Sequence, residues 1–145
     1  MNKSAQSIAT LAARVLLGLM FFVFGLNGFL QFIPAPQPSP DALAFASALA
    51  ATGYMFPLLK GIEVIAGGLL LANRAVPFAL VLLAPIVVNI AAFHIVLQPG
   101  YGMVITLGVL MSYLGYAYRE QFAPLFATKR IAAEAPAVKA AVAAH

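Results

Sequence analysis

Residues 54–74 read YMFPLLKGIEVIAGGLLLANR, an apolar stretch with two charged residues, Lys60 and Glu63, well inside its ends. Roughly 20 residues in a helix extend about 30 Å, the thickness of the hydrocarbon core of a membrane. A charge at the membrane centre costs roughly 2.5–3.5 kcal/mol, so both charges need compensation. Lys60 and Glu63 are three residues apart, so they share one helical face and are within reach of each other. They are either a functional site facing the interior of a bundle or an ion pair that only fixes this helix against its neighbours.

The composition indicates a membrane protein. Of 145 residues, 63% are hydrophobic and 8% are charged, whereas soluble domains average about 25% charged residues. The formal net charge is +4, and the basic residues lie at helix ends and in the tail, which favours topology signals and lipid headgroup contacts over a nucleic-acid surface. The chain has no cysteine, which excludes thiol chemistry, thiolate-bound iron–sulfur clusters and an internal disulfide.

The apolar pattern predicts an all-α membrane protein, a four-transmembrane-helix bundle with a short interfacial helix between spans one and two. A proline-rich connector, 33–40, cannot form a regular helix. Ser39, Pro40 and Asp41 are typical of a helix start, and Gly53 of a helix end. The predicted transmembrane domain covers residues 1–120, with spans at about 8–32, 54–73, 76–97 and 101–118, an interfacial helix at 40–52 and a basic cytoplasmic tail at 121–145.

The distribution of basic residues predicts the orientation. All of them except Lys60 lie before or near the start of span one, between spans two and three, or after span four. Positive charges favour the cytoplasmic side, so both termini are predicted to be cytoplasmic, in a bacterial inner membrane, with residues 33–53 outside. Arg14 is predicted to extend along the first span to the near interface.

With this topology, a layer of polar side chains is predicted in the outer half of the membrane, at depths of about 5–13 Å, with the interfacial helix above it as a lid. The candidate pocket residues are Lys60, Glu63, Asn89, His94 and Asn27. Each also has a structural interpretation, such as a hydrogen-bonded histidine near a helix end for His94 or an interhelical hydrogen bond for Asn89. One histidine and one glutamate on different spans are too few for a metal site, so none is predicted.

The chain resembles the DoxX-type family of small membrane proteins over about residues 10–120. The resemblance lies in Arg14-x3-Gly18, Phe22-x2-Gly25 with Phe29, Glu63-x3-Gly67-x-Leu69-Leu70-Leu71 and Asn89-x4-His94. It implies a four-helix membrane bundle, with links in some members to thiosulfate:quinone oxidoreduction or to membrane oxidoreductase complexes in oxidative-stress defence. Many members carry a lysine after the glycine of span one. This chain has Asn27-Gly28 there, and Lys60 is a candidate to take that lysine's place in space.

Two function classes follow. The first is a redox-accessory or quinone-associated membrane subunit, in which Lys60 and His94 donate hydrogen bonds to a quinone and Glu63 relays a proton. The second is a non-catalytic scaffold subunit of a larger complex; a small transporter or lipid-handling protein is a weaker alternative. No catalytic residue, intrinsic cofactor or independent catalysis is predicted. The expected partners are the lipid bilayer, a membrane or soluble oxidoreductase and further copies of the chain, but not nucleic acid.

Overall fold

The computed structural model describes residues 3–34 and 37–126, and these residues are all-helical, with no strand among them. This confirms the predicted all-α class. The six helices are α1 (Lys3–Leu30), α2 (Pro40–Ala51), α3 (Met55–Leu71), α4 (Val76–Val96), α5 (Tyr101–Ala117) and α6 (Arg119–Phe126). Most of the predicted basic tail, residues 127–145, lies outside the described residues.

The helix boundaries follow from local backbone chemistry. Ser39 caps α2 by accepting a hydrogen bond from the amide of Ala42, and Pro40 occupies the first turn. The chain leaves α2 through Gly53, whose φ of +74° favours glycine. Gln31 and Asn73 also have positive φ, at 50° and 55°. These turns end α1 and α3 about two residues earlier than predicted.

Helices α1, α3, α4 and α5 pack in a ring, with contacts from α1 to α3, α3 to α4, α4 to α5 and α5 to α1. The centre of the ring is apolar. Its fully buried large side chains are Leu17, Leu70, Leu83 and Leu114, one from each of the four helices. Many large apolar side chains cover the outside instead; Ile65, Val88 and Val109 are each at least 60% exposed.

The closest approach in the ring is between the antiparallel helices α1 and α3, and it depends on glycine. A Cβ atom on Gly67 would lie 2.5 Å from the backbone nitrogen of Phe22 and 2.9 Å from the carbonyl oxygen of Gly18. A Cβ on Gly25 would lie 3.0 Å from the backbone nitrogen of Val64. Small residues at these positions therefore allow the two backbones to meet, as is common between helices in membranes.

Two helices are long and apolar enough to cross a membrane, Gln6–Leu30 within α1 and Val76–Val96. Helices α2 and α3 pass the same test only when taken together, and they are bent by 94° relative to each other. Helix α5 is apolar but has only 17 residues. The two long helices and the apolar exterior are consistent with a membrane protein.

Arg14 packs inside the helix ring instead of lying exposed along α1, and its position relative to a membrane interface stays a prediction. Its side chain is buried, with 6% exposed. Its Nη1 donates a hydrogen bond to the carbonyl oxygen of Leu70 and a longer one, of 3.4 Å, to that of Leu71. The last carbonyls of a helix have no partner within the helix, and α3 ends beside Arg14, so the guanidinium caps α3.

Candidate ligand-binding cavity

A cavity of about 640 Å³ lies at the end of the helix ring where α2 packs, and all five helices from α1 to α5 contribute to its lining. The wall is mainly apolar and aromatic. Phe21 and Phe24 come from α1, Phe45 from α2, Phe56 from α3 and Phe93 from α4. The wall also has four polar side chains, which are those of Lys60, Glu63, Asn89 and His94. The structure therefore brings four of the five candidate pocket residues to one cavity.

Lys60 and Glu63 form a two-pronged ion pair on the α3 wall of the cavity. The Lys60 Nζ donates to both carboxylate oxygens of Glu63, at 2.8 and 3.0 Å. The Glu63 side chain is 7% exposed and the Lys60 side chain 23% exposed. It is the one ion pair found within residues 3–34 and 37–126. The charges thus compensate each other, and the ammonium keeps some access to the cavity.

The position of Lys60 depends on a glycine of α1. A Cβ on Gly28 would lie 2.5 Å from the Cγ and Cδ atoms of Lys60. The aliphatic part of Lys60 therefore fills the space that a side chain on Gly28 would take. Its ammonium lies 5.8 Å from the centre of the Phe56 ring, close enough for a cation–π contact.

His94 lies one turn beyond Ile90 on α4, with its Nδ1 2.9 Å from the Ile90 carbonyl oxygen. A carbonyl oxygen can only accept, so Nδ1 carries the proton in this bond. In the neutral imidazole Nε2 is then an acceptor. His94 packs edge-on against Phe93, with ring centres 5.2 Å apart. The Nδ1 of His94 is therefore engaged within the helix, and Nε2 is the ring nitrogen left for a ligand.

Asn89 lines the cavity and is exposed to it. Its side chain has no hydrogen bond to another residue of the described part of the chain, so the interhelical bond considered from the sequence does not form there. An amide on an apolar wall offers a ligand both a donor and an acceptor.

Asn27 does not line the cavity. Its Oδ1 accepts from the amide of Ile33 at 2.7 Å, and its Nδ2 donates to the carbonyl of the same residue at 3.4 Å. The chain leaves the helix after Leu30, so the polar backbone groups of Ile33 need a side-chain partner. The sequence-based assignment of Asn27 to the pocket is corrected for this reason: its amide fixes the exit from α1.

Helix α2 closes one side of the cavity through Phe45, Ala46 and Leu49. Its first turn is fastened to the turn between α4 and α5, since the Ser39 hydroxyl donates to the Leu97 carbonyl at 2.6 Å and the Ser39 amide donates to the Gln98 side chain at 2.6 Å. The rings of Phe45 and Phe93 lie 5.8 Å apart. Helix α2 is therefore held against α4 and closes one side of the cavity that the Lys60–Glu63 pair also lines.

Pro85 interrupts the hydrogen-bond pattern of α4 beside the cavity, a feature that the sequence-based site did not include. Proline has no amide hydrogen, so inside α4 it leaves the carbonyl of Val81, four residues earlier, without its helical partner. Both Val81 and Pro85 line the cavity. The signal was present in the sequence as a mid-helix proline, but which side of α4 faces the cavity could not be seen from it.

The cavity thus combines an apolar chamber with an ammonium, a carboxylate, an amide and an imidazole acceptor. Such a set suits a mainly apolar molecule with a few oxygen-bearing groups. Within residues 3–34 and 37–126 there is no cluster of three or more metal-ligating side chains. Comparison of this chain with protein-family models, with curated proteins and with solved structures found no match.

Proposed function

We propose that the chain is a four-span inner-membrane protein of the DoxX type, with α1, α3, α4 and α5 as its spans and both termini in the cytoplasm. Helices α3 and α5 have 17 residues each, or about 25 Å, the lower limit for crossing. Each packs side by side with a longer apolar helix. The charge distribution supports the orientation, since Arg74 lies in the α3–α4 turn and Arg119 follows α5.

We further propose that the cavity binds a quinone and that the chain is a quinone-associated membrane subunit. The observation that carries this proposal is the Lys60–Glu63 ion pair on the wall of an otherwise apolar cavity of about 640 Å³. This volume lies within the usual range of small-molecule sites, about 300–1,000 Å³. An ion pair with a purely structural role needs only close-packed neighbours. The Lys60–Glu63 pair instead borders the open space of the cavity.

The polar groups fit both oxidation states of a quinone ring. The Lys60 ammonium has a donor hydrogen beyond those directed at Glu63, which suits a quinone carbonyl. The Nε2 of His94, which bonds to no described residue, would hydrogen-bond a quinol hydroxyl, and the Glu63 carboxylate would accept a proton released from the quinol. A bound quinone supplies the redox chemistry, and a partner oxidoreductase exchanges the electrons. The protein binds, orients and accepts protons.

The contact between Lys60 and Gly28 supports the family resemblance. In many DoxX-type proteins a lysine follows the glycine of span one, at the level of Asn27-Gly28. Here the stem of Lys60 lies against Gly28, so an ammonium from α3 reaches the region that a lysine on α1 would occupy. We propose that this position of Lys60 compensates the departure from the family pattern.

The test is binding of a short-tailed ubiquinone analogue to the detergent-purified full chain, measured by equilibrium dialysis, with photo-crosslinking to locate the ligand. We expect Lys60→Met and His94→Leu each to weaken binding about tenfold, the value of one hydrogen bond to a charged or desolvated group. The control is Thr106→Val, because this exposed hydroxyl bonds only within its own helix, to Gly102. Circular dichroism establishes that each variant is folded.

Equal affinity in wild type, K60M and H94L would contradict the quinone proposal. Crosslinks to residues that do not line the cavity would also contradict the quinone proposal. A phospholipid found in the cavity in place of the quinone would favour the lipid-handling alternative.

A second candidate function, a scaffold subunit, is favoured by the outer face of α5. Gly108, Ser112 and Gly115 share this face, and a Cβ on either glycine would meet nothing within 4 Å. Small residues at such spacing allow close docking of another transmembrane helix. If Gly108→Leu removes a co-purifying protein while quinone binding is unchanged, the scaffold function is supported.

A further inference from the structure

A second pocket, of about 470 Å³, lies at the other end of the helix ring, beside the α3–α4 turn, and its chemistry differs from that of the quinone cavity. Its lining has one charged residue, Arg14, and no acid. The other polar side chains that line it are Gln6, Ser7, Thr10, Asn73 and Tyr118.

The charge of Arg14 is only partly compensated by the protein. Arg14 is only 6% exposed, and no carboxylate of the described residues forms an ion pair with it. The two carbonyls at the end of α3 contribute the helix dipole, equivalent to roughly half a unit of negative charge. A buried charge without a full counter-charge is costly, so the site favours an anion.

The guanidinium also has donors that its hydrogen bonds to α3 do not use. Both of these bonds come from Nη1. No fully buried side-chain nitrogen or oxygen in the described part of the chain lacks a partner. Nε and Nη2 of Arg14 bond to no described residue, so they are not fully buried, and Arg14 lines the pocket. Two adjacent guanidinium nitrogens form the two-pronged donor that matches phosphate oxygens.

We infer that this pocket binds the phosphate group of an anionic phospholipid. The inference rests on the four-span arrangement proposed above but not on the ligand of the cavity. In that arrangement the pocket faces the cytoplasmic leaflet, where basic pockets between helices select acidic headgroups. Exposed apolar side chains of α1 are close by in the chain, since Leu11 lines the pocket and is 51% exposed and Ile8, three residues earlier, is 67% exposed. A phosphate at Arg14 thus lies next to a surface that suits acyl chains.

The experiment uses the full chain purified from mixed vesicles of equal amounts of phosphatidylglycerol and phosphatidylcholine. Native mass spectrometry gives the ratio of the two lipids retained by the protein. We expect the wild type to enrich phosphatidylglycerol. Ser7→Glu adds a negative charge to the pocket wall without touching the Arg14–Leu70 bond, and should lower the ratio about fivefold, the effect of one charge near an anionic surface.

Gln121→Glu is the matched control, because it adds the same charge to the exposed surface of α6 outside this pocket. It should leave the ratio unchanged, whereas Arg14→Gln should abolish the enrichment. An equal response of S7E and Q121E would overturn the proposal, as would an unchanged ratio in S7E. Displacement of the lipid by inorganic phosphate would overturn the lipid assignment in favour of a free phosphate site. S7E should bind the quinone analogue with wild-type affinity. A failure of the lipid proposal can therefore be distinguished from a failure of the quinone proposal.

Discussion

Gly67→Ala is expected to destabilise the protein by separating α1 from α3. The added Cβ would lie 2.5 Å from a backbone nitrogen, whereas ordinary contacts begin near 3.4 Å. The obstacle is the backbone of Phe22 and Gly18, which cannot rotate away, so α1 must move by roughly 1 Å over a close-packed interface. Overpacking of this kind costs about 1–3 kcal/mol.

Gly61→Ala on the same helix is the matched control, because a Cβ there meets nothing within 4 Å. Both substitutions gain similar helix propensity, up to about 1 kcal/mol. The difference in unfolding free energy between the two variants therefore isolates the packing cost. The chain contains no tryptophan, so the assay is unfolding by SDS in mixed micelles followed by far-UV circular dichroism. If G67A and G61A unfold at the same SDS fraction, the close approach of α1 and α3 does not stabilise the protein and the reasoning is refuted.

Three further predictions use the same purified protein. Lys60→Met and Glu63→Gln should each lower the free energy of unfolding by about 2 kcal/mol, because each leaves a charge unpaired on an apolar wall. The double variant should be more stable than either single variant. Additive losses in the SDS titration would contradict this. Ser39→Ala removes the α2 cap and the bond to the α4–α5 turn, costing about 1 kcal/mol, so amide hydrogen exchange in α2 should accelerate about fivefold; unchanged exchange would show that α2 is held by other contacts. Thr10→Val and Tyr113→Phe should show a coupling energy of about 0.6 kcal/mol in a double-mutant cycle, because their hydroxyls form a hydrogen bond between α1 and α5 at 3.2 Å. A coupling energy of zero would show that this hydrogen bond does not stabilise the purified protein.

The sequence was most informative where position along a helix fixes height in the ring. Lys60 and Glu63 are near the start of α3, and His94 is near the end of the antiparallel α4. Counting residues from the same end therefore predicts that they lie at similar heights, and the structure places them around one cavity. Hydrophobic length likewise identifies α1 and α4 as candidate membrane helices.

The sequence was less informative where the neighbour of a side chain comes from another part of the chain. Asn27 has a suitable height but bonds to the backbone of Ile33, because the chain turns out of the helix after Leu30. Arg14 was expected to extend along the first span to the near interface because it lies close to the start of that apolar span. Its acceptor, Leu70, is 56 positions away. The rotation of each helix and the partner of each side chain depend on the tertiary structure, so they cannot be predicted by counting residues along a helix.

In the proposed four-span arrangement, the bond from Arg14 to the end of α3 also predicts an order of events during membrane insertion. The first helix leaves the ribosome before its acceptor carbonyls have been synthesised, so its cation must stay among water and headgroups at that stage. Only when the third helix arrives does the guanidinium gain acceptors at its final position. We therefore expect α1 to settle more deeply after α3 has inserted, so that these two helices form the earliest stable pair and the rest of the ring assembles around them.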